Sequence, residues 1–238
     1  MGDILAEAKS IVVPGELLAK GMDNLPGSGS YRDEDNIYSS RLGVLYIDGR
    51  TIKVIPLSGV YIPKPGDTII GKVIDITMGS WRLDINCAYT AMLSVKDATS
   101  DYIPKGEDLT KYYNLDDYIV CKITNVTSQN LIDVTMRERG LKKLNEGRIF
   151  KVNTNKVPRI IGKRGSMVTM IKNATGCRIT VGQNGLVWLQ GDVESEFIAM
   201  DAIKKIERES HISGLTNRIK AFLEEKTGNK IEIQGERK

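Results

Sequence analysis

Ile160-Ile161-Gly162-Lys163-Arg164-Gly165-Ser166-Met167-Val168-Thr169-Met170-Ile171, leading to Thr175-Gly176-Cys177-Arg178-Ile179, decides the reading of this chain. Pro158, just upstream, opens a short first helix, because its fixed φ suits a first turn and its missing N–H is not needed there. Gly162 and Gly165 bracket a tight loop. Ser166–Ala174 follows as a second helix with Val168 and Ile171 on its buried face, and Gly176 supplies the C-terminal stop. Cys177–Val181 reads as a strand, Asn184-Gly185 as a hairpin turn and Leu186–Gln190 as the partner strand. Asp192 caps a further helix, whose stripe of Val193, Phe197, Met200, Ile203 and Ile206 is expected to face the core.

Outward from this block, the C-terminal side carries Ser213-Gly214 and a helical stripe of Leu215, Ile219, Phe222 and Leu223 that ends at Gly228. A strand-like tail, Lys230–Gln234, follows, and 213–238 reads as an appendage on the neighbouring helix. On the N-terminal side, five β-rich runs occupy 66–140: Thr68–Ile76, Trp81–Ile85, Tyr89–Val95, Tyr118–Val126 and Leu131–Met136. A looser polar stretch with Tyr102, Tyr112 and Tyr113 interrupts them. Five short strands in so small a span imply a closed barrel of OB type, since closure removes the exposed edges. Gly71 inside a strand fits a tight barrel bend.

Residues 1–65 form a β-rich unit with no chemistry of its own. Ile11-Val12-Val13 is a strand ended by Pro14-Gly15. Tyr38–Ile47 and Thr51–Ile55 flank Asp48-Gly49 as a hairpin. Gly27-Ser28-Gly29-Ser30 and Asp33-Glu34-Asp35 read as polar loop, the acidic trio as solvated rather than metal-holding because no second ligand cluster accompanies it. The expected fold class is therefore α+β and multidomain: a β-rich unit at 1–65, a five-stranded barrel at 66–140, a βααββα domain at 147–212 and a helical appendage.

Composition bounds the function. The 238 residues are 41% apolar and 27% charged, ordinary for a globular protein, with a net charge of +4. The distribution of charge is more telling. Residues 1–146 hold 17 basic and 20 acidic side chains, and residues 147–238 hold 17 and 10. Between Gly147 and Gly191 there are eight Lys/Arg and no Asp or Glu. One sign of charge over that length implies an anionic partner. Cys87, Cys121 and Cys177 form no CxxC pair, which argues against zinc or a disulfide framework and for buried free thiols in a reducing compartment. The single histidine, His211, sits at a helix end and makes a triad or His-rich metal site implausible. No run is long enough for a membrane span, the N-terminus lacks a signal pattern, and after Met1-Gly2 the position wanted as Ser or Thr for myristoylation is Ala6. A soluble, cytoplasmic chain is expected.

The order βααββα, with hydrophobic-Gly-x-x-Gly between the first two helices and Thr-Gly-x-x-Ile after them, resembles the KH domain. That resemblance implies that Gly162 and Gly165 let the backbone approach a sugar–phosphate chain, with the following helix aiming N–H groups at the phosphates. About four single-stranded nucleotides would be clamped, their bases lying along the Cys177–Val181 strand. The candidate contacts are Arg159, Gly162, Lys163, Arg164, Gly165, Ser166, Lys172 and Arg178. Trp188 is expected to pack the sheet.

Gly66-Asp67, Gly71-x-Val73-x-x-Ile76, Trp81-x-Leu83-x-Ile85, Leu93-Ser94, the Asp117-x-Ile119 strand and Met136-Arg137-Glu138-Arg139 resemble an S1-type RNA-binding domain. Ala91-Met92-Leu93 stands where that family carries an aromatic-plus-His strand. The candidates left for stacking are Trp81 and Tyr89. Arg82 points to the face opposite Trp81, so one of the two should be exposed. Lys122 and Arg137 are candidate phosphate contacts.

A β-rich block, an S1 barrel and one KH domain in this order are similar to the RNA-binding cap subunits of the archaeal RNA exosome and their eukaryotic relatives. The resemblance implies a non-catalytic protein that needs no cofactor or metal and recruits single-stranded, A-rich RNA for 3′-to-5′ degradation. It also implies three cap copies, alone or mixed with another cap subunit, on a hexameric ring of phosphorolytic RNase-PH-like subunits, with residues 1–65 docking to the ring and no membrane partner. Two other readings are weighed. An S1-then-KH transcription elongation or termination factor would carry a second Gly-x-x-Gly unit, and none follows residue 212. A stand-alone nuclease or phosphate-transfer enzyme lacks both a P-loop, since Gly162-Lys163 is followed by Arg164, and a convincing two-metal carboxylate set.

Overall fold

The structure is a computed structural model that describes residues 3–99, 103, 104, 106–212 and 214–228. Met1, Gly2, Tyr102, Ser213 and the Lys230–Gln234 tail lie outside these residues. The chain divides into two compact units, Met1–Gly59 and Val60–Lys238.

The first unit contains β1 (Ile11–Val12), β2 (Leu17–Lys20), β3 (Leu25–Pro26), β4 (Ser30–Asp33), β5 (Asn36–Ser39), β6 (Gly43–Asp48) and β7 (Thr51–Pro56). They form two small sheets, ordered β2-β5-β4 and β1-β6-β7-β3. The hairpin at Asp48-Gly49 is present, with Asp48 opposite Thr51. The run expected as one strand, Tyr38–Ile47, is instead two strands in two different sheets. Ser39 is fully buried, and its hydroxyl donates to the Arg41 carbonyl at 2.7 Å, turning the chain between β5 and β6. The Gly27–Ser30 stretch leads into β4, and Glu34-Asp35 forms the turn between β4 and β5, with Glu34 at φ 50°. Leu18, Ile37, Leu45 and Ile52 are the centre of this unit's core.

The second unit begins with a barrel. Its strands are β8 (Thr68–Thr77), β9 (Ser80–Asp84), β10 (Thr90–Ser94), β11 (Tyr118–Val126) and β12 (Ile132–Thr135), with a short helix α1 (Val95–Ala98) after β10. The order β12-β10-β9-β8-β11 closes through a β11–β12 pairing, so the sheet has five strands and no open edge in the ring. Ile69, Val73, Leu83, Leu93, Ile119 and Ile123 fill the interior. A sixth strand, β13 (Lys143–Leu144), pairs alongside the start of β11.

The chain continues through β14 (Arg148–Lys151), α2 (Val157–Ile161), α3 (Ser166–Thr175), β15 (Arg178–Val181), β16 (Leu186–Gln190), α4 (Val193–Glu209) and α5 (Leu215–Thr227). This is the βααββα order, with an antiparallel sheet β14-β16-β15. Pro158 lies in the first turn of α2, and Gly176 ends α3 in the left-handed conformation. The buried face of α3 is Met167, Met170 and Ile171, with Val168 at its edge.

The expected stripe on α4 holds at its C-terminal end and fails at its start. Ile203 and Ile206 are buried and Met200 is half-buried, whereas Val193 and Phe197 are 63% and 46% exposed and Ala199 and Ala202 are buried in their stead. Small alanines let α4 pack closely, while Phe197 turns outward beneath the Arg148 guanidinium, 5.0 Å from its ring centroid. Asp192 occupies the N-cap position of α4 without a side-chain cap bond. The helix read as an appendage, α5, contributes Ile219 and Leu223 to the same core as Val157 and Ile160.

The barrel and the βααββα domain are joined by a second, smaller core. In β8, Ile69, Ile70 and Gly71 are all buried, and in β11 so are Ile119, Val120 and Cys121. Strict alternation fails because these strands are covered on both faces. Ile70 and Val120 point outward, against Leu144 and against Leu186 and Trp188 on the face of the C-terminal sheet that its helices leave free. Burying each such side chain stabilises the arrangement by about 1.5–3 kcal/mol. Trp188 packs the sheet as expected, its Nε1 donating to the Glu146 carbonyl at 2.8 Å.

Candidate nucleic-acid interface

The α2–α3 connection is a single 3₁₀ turn, Lys163–Gly165, set between two glycines with positive φ. A Cβ on Gly162 would sit 2.7 Å from both the backbone nitrogen and the Cβ of Met167, so only glycine lets the loop lie this close to α3. Around Gly165 the opposite holds: a Cβ there would meet nothing within 4 Å, so the space above its backbone is open. No side chain caps the N-terminus of α3, and its first turn carries no acid. The Ser166 N–H donates to the Lys163 carbonyl, and the following first-turn N–H groups and the positive end of the helix dipole lie at the loop.

Lys163 and Arg164 stand exposed on this turn, and Arg164 adopts the left-handed conformation (φ 54°, ψ 29°). Arg159 on α2, Ser166 at the head of α3 and Arg178 at the start of β15 are also exposed, and Lys172 is half-buried. Among the described residues, none of Arg159, Lys163, Arg164, Lys172 or Arg178 has a carboxylate within ion-pair distance. These uncompensated cations belong to the α2-turn-α3 segment and to β15, one of the two edge strands of its sheet.

The barrel candidates are placed differently. Trp81 is corrected: it is fully buried, its Nε1 donates to the Tyr113 carbonyl at 3.1 Å, and its ring meets that of Tyr113 edge-on at 5.2 Å. It is a core residue, held there because inward-facing positions of β9 alternate with outward ones, and it offers no face to a base. Arg82, the exposed member of the pair, lies 3.7 Å from Asp75. Lys122 is held at 2.8 Å by Glu138. Arg137 is exposed and its Nε donates to the Thr99 carbonyl at 3.3 Å. Tyr89 is exposed in the β9–β10 connection.

Of the cysteines, Cys121 and Cys177 are buried, and Cys87 is only half-buried, contrary to expectation. Burial pushes the Cys121 thiol up to about 12. Burial also raises the Tyr61 phenol well above its usual value, aided by the hydrogen bond it donates to Asp67 at 2.6 Å. Neither group belongs to the cationic surface. Among the described residues no group of three or more His, Cys, Asp or Glu is arranged to hold a metal, and no helix is long and apolar enough to cross a membrane.

What reading along the sequence missed is the joint between the barrel and the C-terminal domain. Asn184, expected only as a turn residue, is fully buried. Its Nδ2 donates to the carbonyls of Ile70 (2.7 Å) and Ile85 (2.9 Å), and its Oδ1 accepts from the Ile70 N–H (3.3 Å). The Gln183 N–H donates to the Thr68 carbonyl at 2.9 Å, and Asn86 Nδ2 to the Asn184 carbonyl at 2.9 Å. Gly182 permits the approach, since a Cβ there would sit 2.9 Å from the Ile70 nitrogen. The available signal was the apolar pair Ile69-Ile70 and the triple Ile119-Val120-Cys121, which a barrel strand with one wet face does not carry.

Comparison with known proteins places these features. Residues 9–58 match the family described as the exosome RNA binding protein RRP4 N-terminal domain, residues 60–111 the RRP4 S1 domain and residues 147–220 the KH domain. A protein of Methanothermus fervidus named exosome complex component Rrp4 is 42% identical over 221 residues, covering 92% of this chain and 97% of the relative. One of the same name from Thermococcus kodakarensis is 44% identical over 227 residues, covering 94% and 88%. A crystallised protein described as a candidate exosome complex RNA-binding protein shares 34% identity with a TM-score of 0.62, covering 71% of this chain and 97% of that one.

Proposed function

The chain belongs to the Rrp4 family of exosome complex components, and from that premise we propose that it is a non-catalytic, cytoplasmic RNA-binding cap subunit that recruits single-stranded RNA to the exosome's degrading ring. The observation that carries the RNA-binding role is the set of uncompensated cations around the Gly162–Gly165 turn. An anion-binding surface needs charge that the protein has not already neutralised. Arg82 and Lys122 on the barrel face Asp75 and Glu138, whereas Lys163 and Arg164 face no carboxylate among the described residues. In this reading the turn and the head of α3 hold phosphates, Gly165 lets the strand approach, and bases lie along β15. Arg159, Lys172 and Arg178 add charge along that path.

The first unit supplies the protein contact. Residues 1–59 carry six basic and eight acidic side chains, no attraction for a polyanion. Its β1-β6-β7 sheet aligns Ile11 with Val44 and Val44 with Ile55, and Ile11, Ile55 and nearby Tyr46 are exposed on the side away from the core. An apolar strip of this kind fits a protein partner, in this family the phosphorolytic ring, which three copies of the chain would cap. The chemistry of degradation then belongs to the ring.

The test replaces Lys163 and Arg164 together by Asp and measures affinity for a short single-stranded RNA by fluorescence anisotropy, with a thermal melt as folding control. The expected result is a loss of at least about tenfold, from phosphate contacts turned repulsive, with the melt unchanged. Wild-type affinity from the folded variant overturns the reading. Incubating the chain alone with labelled RNA, Mg²⁺ and phosphate should leave the RNA intact; shortening would assign it a catalytic role.

A further inference from the structure

We propose that residues 60–62, which open the second unit, are a docking strand that pairs with an open β-sheet edge on another subunit of the exosome complex. The inference rests on the ring-docking reading above and names a further element of that contact.

The exposures of Val60, Tyr61 and Ile62 alternate: 71%, 8% and 48%. That is the period of a strand, yet these residues belong to no sheet. Among the described residues, none of their main-chain N–H or C=O groups makes a hydrogen bond. The segment is nonetheless held in place. The Tyr61 ring packs in the barrel core, and its hydroxyl donates to Asp67 at 2.6 Å. Gly66 and Asp67 then exchange main-chain bonds with Ile123 of β11, at 2.8 and 2.9 Å. Pro63 and Pro65 bias Ile62 and Lys64 towards extended backbone. Pinning Tyr61 inward turns Val60 and Ile62 outward. It also sets the N–H and C=O groups of Val60 and Ile62 on one edge and those of Tyr61 on the other. The first edge offers two donors and two acceptors. A strand already held extended has less ordering entropy to lose when it pairs, which favours addition to a sheet.

The chemistry selects the partner. Residues 54–63 carry no charged side chain, so the segment has nothing with which to hold a polyanion, and RNA is not its ligand. Ile55, Leu57, Val60 and Ile62 are all exposed. This apolar run continues along the chain from the strip that includes Ile55 of β7. A partner that covers residues 60–62 must offer a row of free main-chain groups, with apolar pockets at a two-residue spacing. An open sheet edge has that form. Continuity with the β7 strip assigns the strand to the same partner, the ring.

The test follows main-chain hydrogen exchange of the full chain at single-residue resolution. It compares the chain alone at low and high concentration, with the reconstituted phosphorolytic ring, and with a short single-stranded RNA. Alone, the three amides should exchange as fast as in an unstructured peptide. The ring should slow the Val60 and Ile62 amides by at least about tenfold, the factor that one closed main-chain hydrogen bond supplies, and should slow Tyr61 less. The double variant Val60→Asp/Ile62→Asp should bind the ring about 10- to 100-fold more weakly, because two apolar side chains no longer enter their pockets. Its thermal melt and RNA affinity should be unchanged. Val60→Ile/Ile62→Val should bind the ring as wild type does. A ring-bound wild type with all three amides still fast, equal slowing of all three, or wild-type binding by the Asp variant each overturns the docking strand. Slowing by RNA, or by a higher concentration of the chain alone, overturns it as well, the latter by making a second copy the occupant. A wild-type chain that does not bind the ring at all overturns the ring-docking reading itself, and this assignment with it.

Discussion

The amide of Asn184 pairs with Ile70 as a neighbouring strand would, donating to its carbonyl at 2.7 Å and accepting from its N–H at 3.3 Å. One side chain from the C-terminal domain thereby satisfies both main-chain groups of a barrel residue whose own side chain is buried in the joint. The S1 and KH elements are coupled through a buried polar contact inside an apolar seam, the kind of network that is costly to leave half-made.

Asn184→Ala should therefore destabilise the full chain by about 2–3 kcal/mol, because it strands the Ile70 N–H and the carbonyls of Ile70 and Ile85 in a buried site. Asn184→Asp should cost more than Ala, since it sets a carboxylate against two carbonyl oxygens. Urea unfolding monitored by tryptophan fluorescence reads both, and Trp188 in the seam is a suitable reporter. An unchanged midpoint for Asn184→Ala would show that the seam contributes no stability.

Part of this architecture was legible along the chain, and the physical reason differs by element. The glycine-bracketed turn was readable because each glycine answers a backbone demand: close approach at 162, left-handed φ at 165 and 176. The barrel strands were readable as five short β-rich runs, although alternation breaks down in β8 and β11. The joint was not, because Asn184-Gly185 has the composition of any hairpin turn, and the partners of Asn184 are main-chain groups more than 95 residues away in sequence. On α4, Met200, Ile203 and Ile206 face the core as their spacing predicts, but the start of the stripe does not, because Ala199 and Ala202 carry little hydrophobic signal yet mark where helices approach closely, while the larger Phe197 finds its partner in Arg148. Trp81 and Arg82 were correctly set on opposite faces, but which one faced the core depended on the barrel's closure.

Trp81→Ala should destabilise the protein by about 3–5 kcal/mol, the cost of emptying a large core site. Trp81→Phe should cost less, since it keeps most of the packing and gives up the bond to the Tyr113 carbonyl. Neither change should alter RNA affinity in samples that remain folded. A specific loss of affinity in a folded Trp81→Phe variant would restore this residue to the binding surface.

Cys121 links stability to alkaline pH. Its thiol is raised to about 12 in the folded chain by burial, against about 8.5 unfolded. Its contribution is therefore fully present below about pH 8.5 and is lost as pH rises from there towards 12, because the unfolded state gives up a proton that the folded state keeps. The expected loss from this one group approaches about 1 kcal/mol per pH unit above pH 9. Cys121→Val should flatten the decline relative to wild type in urea titrations at pH 8, 9 and 10. Parallel curves would show that other groups, such as the Tyr61 and Tyr113 phenols raised by burial, dominate that limb.

Arg164 offers the cleanest separation of binding from folding. The residue holds φ 54°, ψ 29°, a conformation that costs a non-glycine residue about 1–2 kcal/mol. Its side chain is exposed and has no carboxylate partner among the described residues, so the folded state gains nothing evident from an arginine there. Arg164→Gly should relieve the strain, partly offset by the greater freedom of glycine in the unfolded chain, and leave stability unchanged or up by as much as about 1 kcal/mol. The same variant should bind RNA more weakly. With about four phosphates neutralised, the log–log salt slope should be near −3, a fall of about 50-fold between 50 and 200 mM salt; one lost contact should move the slope by about 0.7. A thermal melt and a salt series on one preparation measure both effects. Stability retained with a shallower slope means that the strained arginine is kept for the phosphate it meets. An unchanged slope would place Arg164 outside the interface.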